Sequence, residues 1–329
     1  MLKEIKANAK IFSGSPFDFF FSSTKLVCDS KGAFICTLPY KLYSLVSLFY
    51  SFCSGYFERN KCNKEMKSCL IGYTGFIGSS LLNQTNFSEL YNSKNIFEIH
   101  NKKFDFIVCA GAPGKKWVAN SNPEDDKQNI DSLIGSLRTV ECSNFILIST
   151  VDVFKHPVMV DELSKVSESD LHPYGLHRRM LENFVKHKYR KHLVIRLPGL
   201  VGSNLKKNAL YDLLNDNNVN AIDSRNVYQF YPIDRLWKDI LKIIRLDISL
   251  IHLTAEPLDV EEIAEKCFKR SFKNYLETQP IIYDVRTLYA DIFGRNEQYQ
   301  YNKEESLQFI KQYAEDEPMT KKDKEIKKI

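Results

Sequence analysis

Residues Ser68–Leu81 read SCLIGYTGFIGSSL, and this stretch decides the fold. A short apolar run, Cys69, Leu70 and Ile71, leads into Gly72, Gly75 and Gly78, and a helical pattern comes at once after them. That order predicts a buried parallel strand, a tight turn and a helix start. Each glycine has its own task. Gly72 permits the turn, Gly75 lets backbone approach a pyrophosphate, and Gly78 lets the helix pack closely on the strand. The helix start, with Phe76 and Ile77 in its first turn, offers unpaired N–H groups and a partial positive charge to phosphate. Three glycines alone are a weak signal, because an ordinary glycine-rich turn has the same letters. The weight comes from the stretches downstream of them.

The first helix is expected over about Phe76 to Asn83, and the compressed stretch FSELYNSKNIFEI (Phe87–Ile99) holds the end of a second strand. Dinucleotide folds that prefer NAD place an acid about twenty residues past the turn, on the ribose 2′-hydroxyl. Here that count reaches Asn92, Ser93 and Lys94. A hydroxyl and a cation suit a 2′-phosphate better than a free diol, so the residues lean toward NADP over NAD. FDFIVCAGAP (Phe104–Pro113) repeats the first signal, an apolar strand followed by Ala110, Gly111 and Ala112, small enough to leave a ligand crevice at the strand's end. A helix over Pro123–Val140 and a buried strand over Asn144–Ser149 come next. Alternating strands and helices of this length predict an α/β, Rossmann-like, doubly wound parallel sheet.

Composition narrows the partners. The chain has 329 residues, 43% hydrophobic and 26% charged, enough for one large domain or two. Its net charge of +5 is uneven: residues 1–65 carry nine Lys/Arg against five Asp/Glu, leaving +1 for the rest. A near-neutral body has no basic stripe for nucleic acid. The eight cysteines form no CxxC pair and no Cys/His spacing for a metal, so they read as reduced thiols of a cytoplasmic protein with no metal site.

Residues 1–65 differ from the remainder of the chain. FDFFF (Phe17–Phe21) and LYSLVSLFYSFCSGYF (Leu42–Phe57) are aromatic and apolar, without a clear period. The uncharged run is shorter than the ~20 residues that span a bilayer, and it lies too far in for a cleaved signal peptide. The segment is expected to lie outside the catalytic fold. Weak membrane-surface association through residues 34–57 is a further reading.

The chemistry is expected near Thr150, which ends the strand over NFILIS, and in HPYGLHRRMLENF (His172–Phe184). Pro173 suits a first helical turn, which puts Tyr174 near a positive helix end. Tyr174 and Arg178 are four apart and share a face, with His177 close to it.

Taken in order, GYTGFIG, the strand ending in CAGA, ISTVDVF, the Tyr-x-x-x-basic helix and RLPGLVG (Arg196–Gly202) resemble the extended short-chain dehydrogenases/reductases. These are the nucleotide-sugar epimerases, dehydratases and reductases. The resemblance covers about Met66 to Phe309. It implies that Thr150 hydrogen-bonds the substrate oxygen and that Tyr174 is the general acid/base as hydride moves to or from a nicotinamide. It also implies that Pro198, in RLPGLVG, lies on the cofactor side. Where the family has lysine, this chain has Arg178. It keeps the charge that favours tyrosinate, and its fork could bridge ribose hydroxyls, but it is not interchangeable with a point ammonium. Dehydratases of the family carry an Asp-Glu pair after the threonine. Val151 and Asp152 stand there instead, which disfavours elimination and leaves Asp152 as a substrate-side carboxylate.

Beyond RLPGLVG the sheet pattern weakens, and a smaller substrate-binding portion is expected over about 203–314. NLKKNALYDLL (Asn204–Leu214) reads as an amphipathic helix whose Asn204, Lys206 and Lys207 could meet a diphosphate, and Arg225 and Gln229 are further substrate-side candidates. Residues 315–329 form a charged tail. The expectation is therefore an NAD(P)-dependent oxidoreductase or epimerase on a nucleotide-activated sugar, acting as a homodimer. A non-catalytic NAD(P)-binding sensor or scaffold is the rival reading of Arg178.

Overall fold

The computed structural model describes residues 66–317 and the backbone pairing of two short antiparallel strands, β1 (Val27–Cys28) and β2 (Phe34–Ile35). The chain divides into two compact units, Met1–Glu65 and Met66–Ile329. The reading of residues 34–57 as a membrane-surface segment lies outside the described residues apart from the Phe34–Ile35 backbone, and the tail expected over 315–329 starts later than that, since Glu315 and Asp316 still belong to the helix Lys303–Asp316 and the rest beyond 317 lies outside the described residues.

The second unit begins with β3 (Ser68–Ile71), α1 (Phe76–Gln84), β4 (Glu89–Tyr91), β5 (Lys103–Cys109), α2 (Lys116–Ser121), α3 (Pro123–Leu137) and β6 (Glu141–Thr150). It continues with β7 (Val158–Val160), α4 (Pro173–Lys188), β8 (His192–Leu197), β9 (Gly199–Val201), α5 (Ala209–Asn215), β10 (Val227–Tyr228) and β11 (Phe230–Pro232). It closes with α6 (Leu236–Ile243), β12 (Leu250–His252), β13 (Leu258–Asp259), α7 (Val260–Phe268), β14 (Asp284–Val285) and α8 (Lys303–Asp316).

Six of these strands form one sheet in the order β4-β3-β5-β6-β8-β12, all neighbours parallel. Strand parity sorts its side chains. Cys69, Ile71, Ile107, Cys109, Phe145 and Leu147 pack under Ile130, Leu133 and Leu137 of α3 and Leu181 and Val185 of α4. Leu70, Phe106, Val108, Ile146 and Ile148 face the other way, against Leu81 of α1 and Leu236, Ile240 and Ile243 of α6. Burial on both faces is why these strands read as unbroken apolar runs. The order of strand connection reverses at β3, with β4 on one side and β5 on the other, so a crevice opens at the carboxyl ends of β3 and β5. The remaining chain builds a smaller core of Leu210, Leu213, Phe230, Leu258, Ile263, Leu307 and Ile310.

Two expectations shift. The helix expected from Asn204 starts only at Ala209, because Asn208 takes a positive φ of 119° and its side chain caps the N–H groups of Leu210 and Tyr211. Asn204, Lys206 and Lys207 therefore lie in a loop. The long helix ends at Leu137 rather than Val140, and the next strand starts at Glu141.

Candidate active site

The glycine turn stands at the reversal of strand order. Gly72 has φ +86°, and a Cβ there would overlap the carbonyl of Ala110 at the end of β5. A Cβ on Gly78 would strike the carbonyl of Gly72, so only glycine lets α1 start this close to β3. Gly75 caps α1 without a side chain, which leaves the first-turn N–H groups around Phe76 and Ile77 open. Phe76 also packs into both the sheet core and the smaller core.

Neighbouring strand ends complete the crevice. The Gly72 N–H donates to the carbonyl of Tyr91, 2.7 Å away, which sets the Asn92–Lys94 turn beside the glycines. That turn is closed by Asn92 and Asn95, whose side chains accept from the N–H groups of Lys94 and Asn92. Ala110, Gly111 and Ala112 come directly after Cys109, which is paired in register with Ile71. Thr150 ends β6 opposite Leu197, so Pro198 leaves the sheet next to it.

Thr150 is buried, and its hydroxyl accepts the Asp152 N–H at 3.1 Å. Tyr174 enters from the first turn of α4. Pro173 opens that helix, and the ring Nδ1 of His172 accepts the Gly175 N–H. Burial pushes the Tyr174 phenol up to about 12, against the opposing pull of the Arg178 charge and of hydrogen bonding by Thr150, while Asp152 and Asp126 add to the rise.

Arg178 is committed elsewhere. Its fork grips Asp126 of α3, with Nη1 2.5 Å from Oδ2 and Nη2 2.8 Å from Oδ1. The remaining terminal N–H groups go to the carbonyls of Tyr174 and Pro113. Its Cζ lies 4.0 Å from the centre of the Tyr174 ring. His177, also buried, places Nδ1 2.7 Å from the same Asp126 carboxylate. Hydrogen bonds from Arg178 and His177, with the Arg178 charge, hold Asp126 below the usual carboxylate range despite its burial.

Asp152 anchors a second group. Its Oδ1 accepts from Lys116 Nζ at 2.7 Å and from the Tyr283 hydroxyl at 2.6 Å, while Oδ2 lies 3.4 Å from Thr150 Oγ1. Lys116 opens α2, and Tyr283 comes from the smaller portion. Neither was legible as a site residue, since each lies far along the chain from the motif it serves. Asp126 gave a signal only as one of three acids after Pro123, which is what any helix start shows.

The substrate-side candidates separate. Lys207 reaches back to the carbonyl of Gly114, beside the Arg178 pair, and burial with Lys115 and Arg178 nearby lowers it to about 8. The Asn204 N–H is bonded to Glu317. Arg225 lies against Asp223 and the carbonyl of Leu276, tying surface loops together. Gln229 corrects the expectation most plainly. It is 1% exposed, and its amide bonds Thr254, Ala255 and both backbone groups of Val285, so it is an internal strut that faces no cleft. Among the described residues no cluster of His, Cys, Asp and Glu could hold a metal, and no helix is long and apolar enough to cross a membrane.

No family model and no curated protein matches the chain. Solved structures do. A dTDP-4-dehydrorhamnose reductase from Clostridium acetobutylicum aligns over 76% of this chain and 99% of its own, at 16% identity and TM-score 0.58. A UDP-N-acetylglucosamine 4-epimerase from Methanobrevibacter ruminantium aligns over 77% and 98%, at 12% identity and TM-score 0.59. An NAD-dependent NDP-hexosamine 5,6-dehydratase, TunA, aligns over 78% and 99%, at 14% identity and TM-score 0.59. At these identities the likeness establishes a shared fold, the Rossmann-like α/β architecture of the six-stranded sheet.

Proposed function

We propose that this chain is an extended short-chain dehydrogenase/reductase, an NAD(P)-dependent enzyme that reduces or epimerises a nucleotide-activated sugar. The reading is carried by one arrangement: Thr150 ends β6 in the sheet that bears the glycine turn, and Tyr174 stands in the first turn of α4, the helix packed on the loop that comes directly after Thr150. The solved neighbours support it, since a reductase, an epimerase and a dehydratase of nucleotide sugars share the fold.

The residues fit a dinucleotide. A Cβ would fill the cradle at Gly72 and Gly78, and the first turn of α1 is uncapped, which suits a pyrophosphate. Ala110, Gly111, Ala112 and Pro198 would line the crevice. Asn92, Ser93 and Lys94, beside the glycines, favour a 2′-phosphate and hence NADP, and a neighbour from Bacillus anthracis was solved with NADP. When bound, the nicotinamide would exchange hydride with the sugar carbon. Thr150 would hold the sugar oxygen, Tyr174 would exchange a proton with it, and Asp152, fixed by Lys116 and Tyr283, would face the sugar hydroxyls. The catalytic unit would span residues 66–314.

The test is a fluorescence titration with NADPH and NADH, followed by a screen of keto-sugar nucleotides for loss of NADPH absorbance. Tighter binding of NADPH and turnover of one such ketone are expected. Binding of neither cofactor would remove the reading.

A further inference from the structure

Every terminal N–H of Arg178 is spoken for. Nη1 donates to Asp126 and to the carbonyl of Tyr174, and Nη2 donates to Asp126 and to the carbonyl of Pro113. Only Nε–H lacks a partner, and it is buried. The two terminal nitrogens therefore have no donor left to bridge ribose hydroxyls, contrary to what the residue's position beside the tyrosine suggests. Its charge is matched as well. Arg178 and Asp126 are 3% and 4% exposed at their side chains and joined at two points, so the Tyr174 ring lies against an ion pair and not against a free cation.

We infer that Asp126 is a positioning residue that neutralises Arg178 and keeps Tyr174 protonated, so that the site works as an acid on a ketone and consumes a carbonyl supplied by an earlier oxidation or dehydration of the sugar. The inference rests on the enzymatic reading proposed for this site and narrows it. An epimerase must first take a proton from a sugar alcohol, which needs a phenolate. A reductase needs the phenol. In the reduction the carbonyl carbon gains a hydride supplied by a dihydronicotinamide, which is oxidised. The carbonyl oxygen takes the Tyr174 proton as that O–H bond breaks, the ketone becomes an alcohol, and water returns the proton to the tyrosinate. Of the other groups around the phenol, only Thr150, by hydrogen bonding, favours its anion. Asp152 is negative and already shared with Lys116, Tyr283 is a second phenol, and burial and Lys116 discourage a charge on His172. Burial is the main reason the Tyr174 phenol is raised, and Asp126 adds to the rise against the pull of Arg178.

The test uses the full chain without cofactor or substrate. Tyrosinate absorbance near 295 nm is followed against pH, and the Tyr174→Phe curve is subtracted to isolate one phenol. Ionisation only above about pH 10 is expected, and Asp126→Asn should move it down by at least about one unit, because it uncovers a cation next to the ring. The double variant Asp126→Asn, Arg178→Gln should return the titration to within about half a unit of the starting chain, since it removes both charges. If Asp126→Asn does not fold, Arg178→Gln should raise the titration by leaving Asp126 unmatched. A phenol that ionises near neutral pH, or one indifferent to these changes, overturns the inference. Absence of NADPH binding with the titration intact would instead overturn the enzymatic reading.

Discussion

Arg178, four residues after Tyr174 on α4, is joined at two points to Asp126 in the first turn of α3. The guanidinium lies against the tyrosine ring, and the pair ties together the two helices that cover one face of the sheet. Removing one partner leaves the other as an uncompensated buried charge. Arg178→Met should therefore cost about 3–5 kcal/mol of stability, and Asp126→Asn with Arg178→Met less than the two single effects combined. Urea unfolding of the four species measures the coupling. Additive effects would mean that the pair contributes no mutual stabilisation.

Acid should unfold the protein in two steps. Burial keeps His252 and His172 below their ordinary 6.5, so the fold prefers them neutral. Their contribution is complete above about pH 6.5 and is lost as the pH falls through their folded values. Asp126 and Glu182 are held below 3.8 and 4.5 by Arg178 and by Arg196 respectively, so their contribution holds above those values and is lost on further acidification. Thermal unfolding followed by circular dichroism should show Tm level from about pH 7 to 8, sloping below about 6.5 and falling steeply below about 4.

The glycines of the turn should separate fold from binding. Gly78→Ala drives a Cβ into the Gly72 carbonyl and should destabilise the protein severely. Gly75→Ala meets only the Gly72 oxygen, at 3.3 Å, and should leave the fold intact while weakening NADPH by about tenfold or more, equivalent to about 1.4 kcal/mol. Thermal shift and cofactor fluorescence read the two effects independently.

Gln229→Ala should damage stability and spare binding. It strips partners from Thr254, Ala255 and Val285 in the interior, at about 1–3 kcal/mol for each group left unsatisfied. A lower Tm with unchanged affinity for NADPH is expected; the reverse would return Gln229 to the cleft.

Tyr174→Phe should cut turnover of a keto-sugar nucleotide by about 10²–10⁴ while NADPH affinity changes less than about threefold. The phenol carries the proton and is not needed to hold the pyrophosphate. Single-turnover absorbance at saturating cofactor checks it.

The amino-acid sequence alone determined the parallel sheet, the glycine turn and the places of Thr150 and Tyr174, because each depends on short-range order. Unbroken apolar runs mark strands buried on both faces, glycines mark backbone contacts closer than a Cβ permits, and Pro173 marks a helix start. Only the tertiary structure decided what those residues meet. Asp126 and Arg178 are 52 residues apart, Lys116 and Tyr283 167 apart, and nothing in their local patterns distinguishes them from a solvated helix face or a loop. Gln229 looked like a ligand for the same reason: a polar side chain is a strut or a contact according to which way its strand turns it. Hydrogen-bond partners and charge neutralisation are properties of packed neighbours, and packing across the sheet brings together residues whose separation along the chain carries no signal.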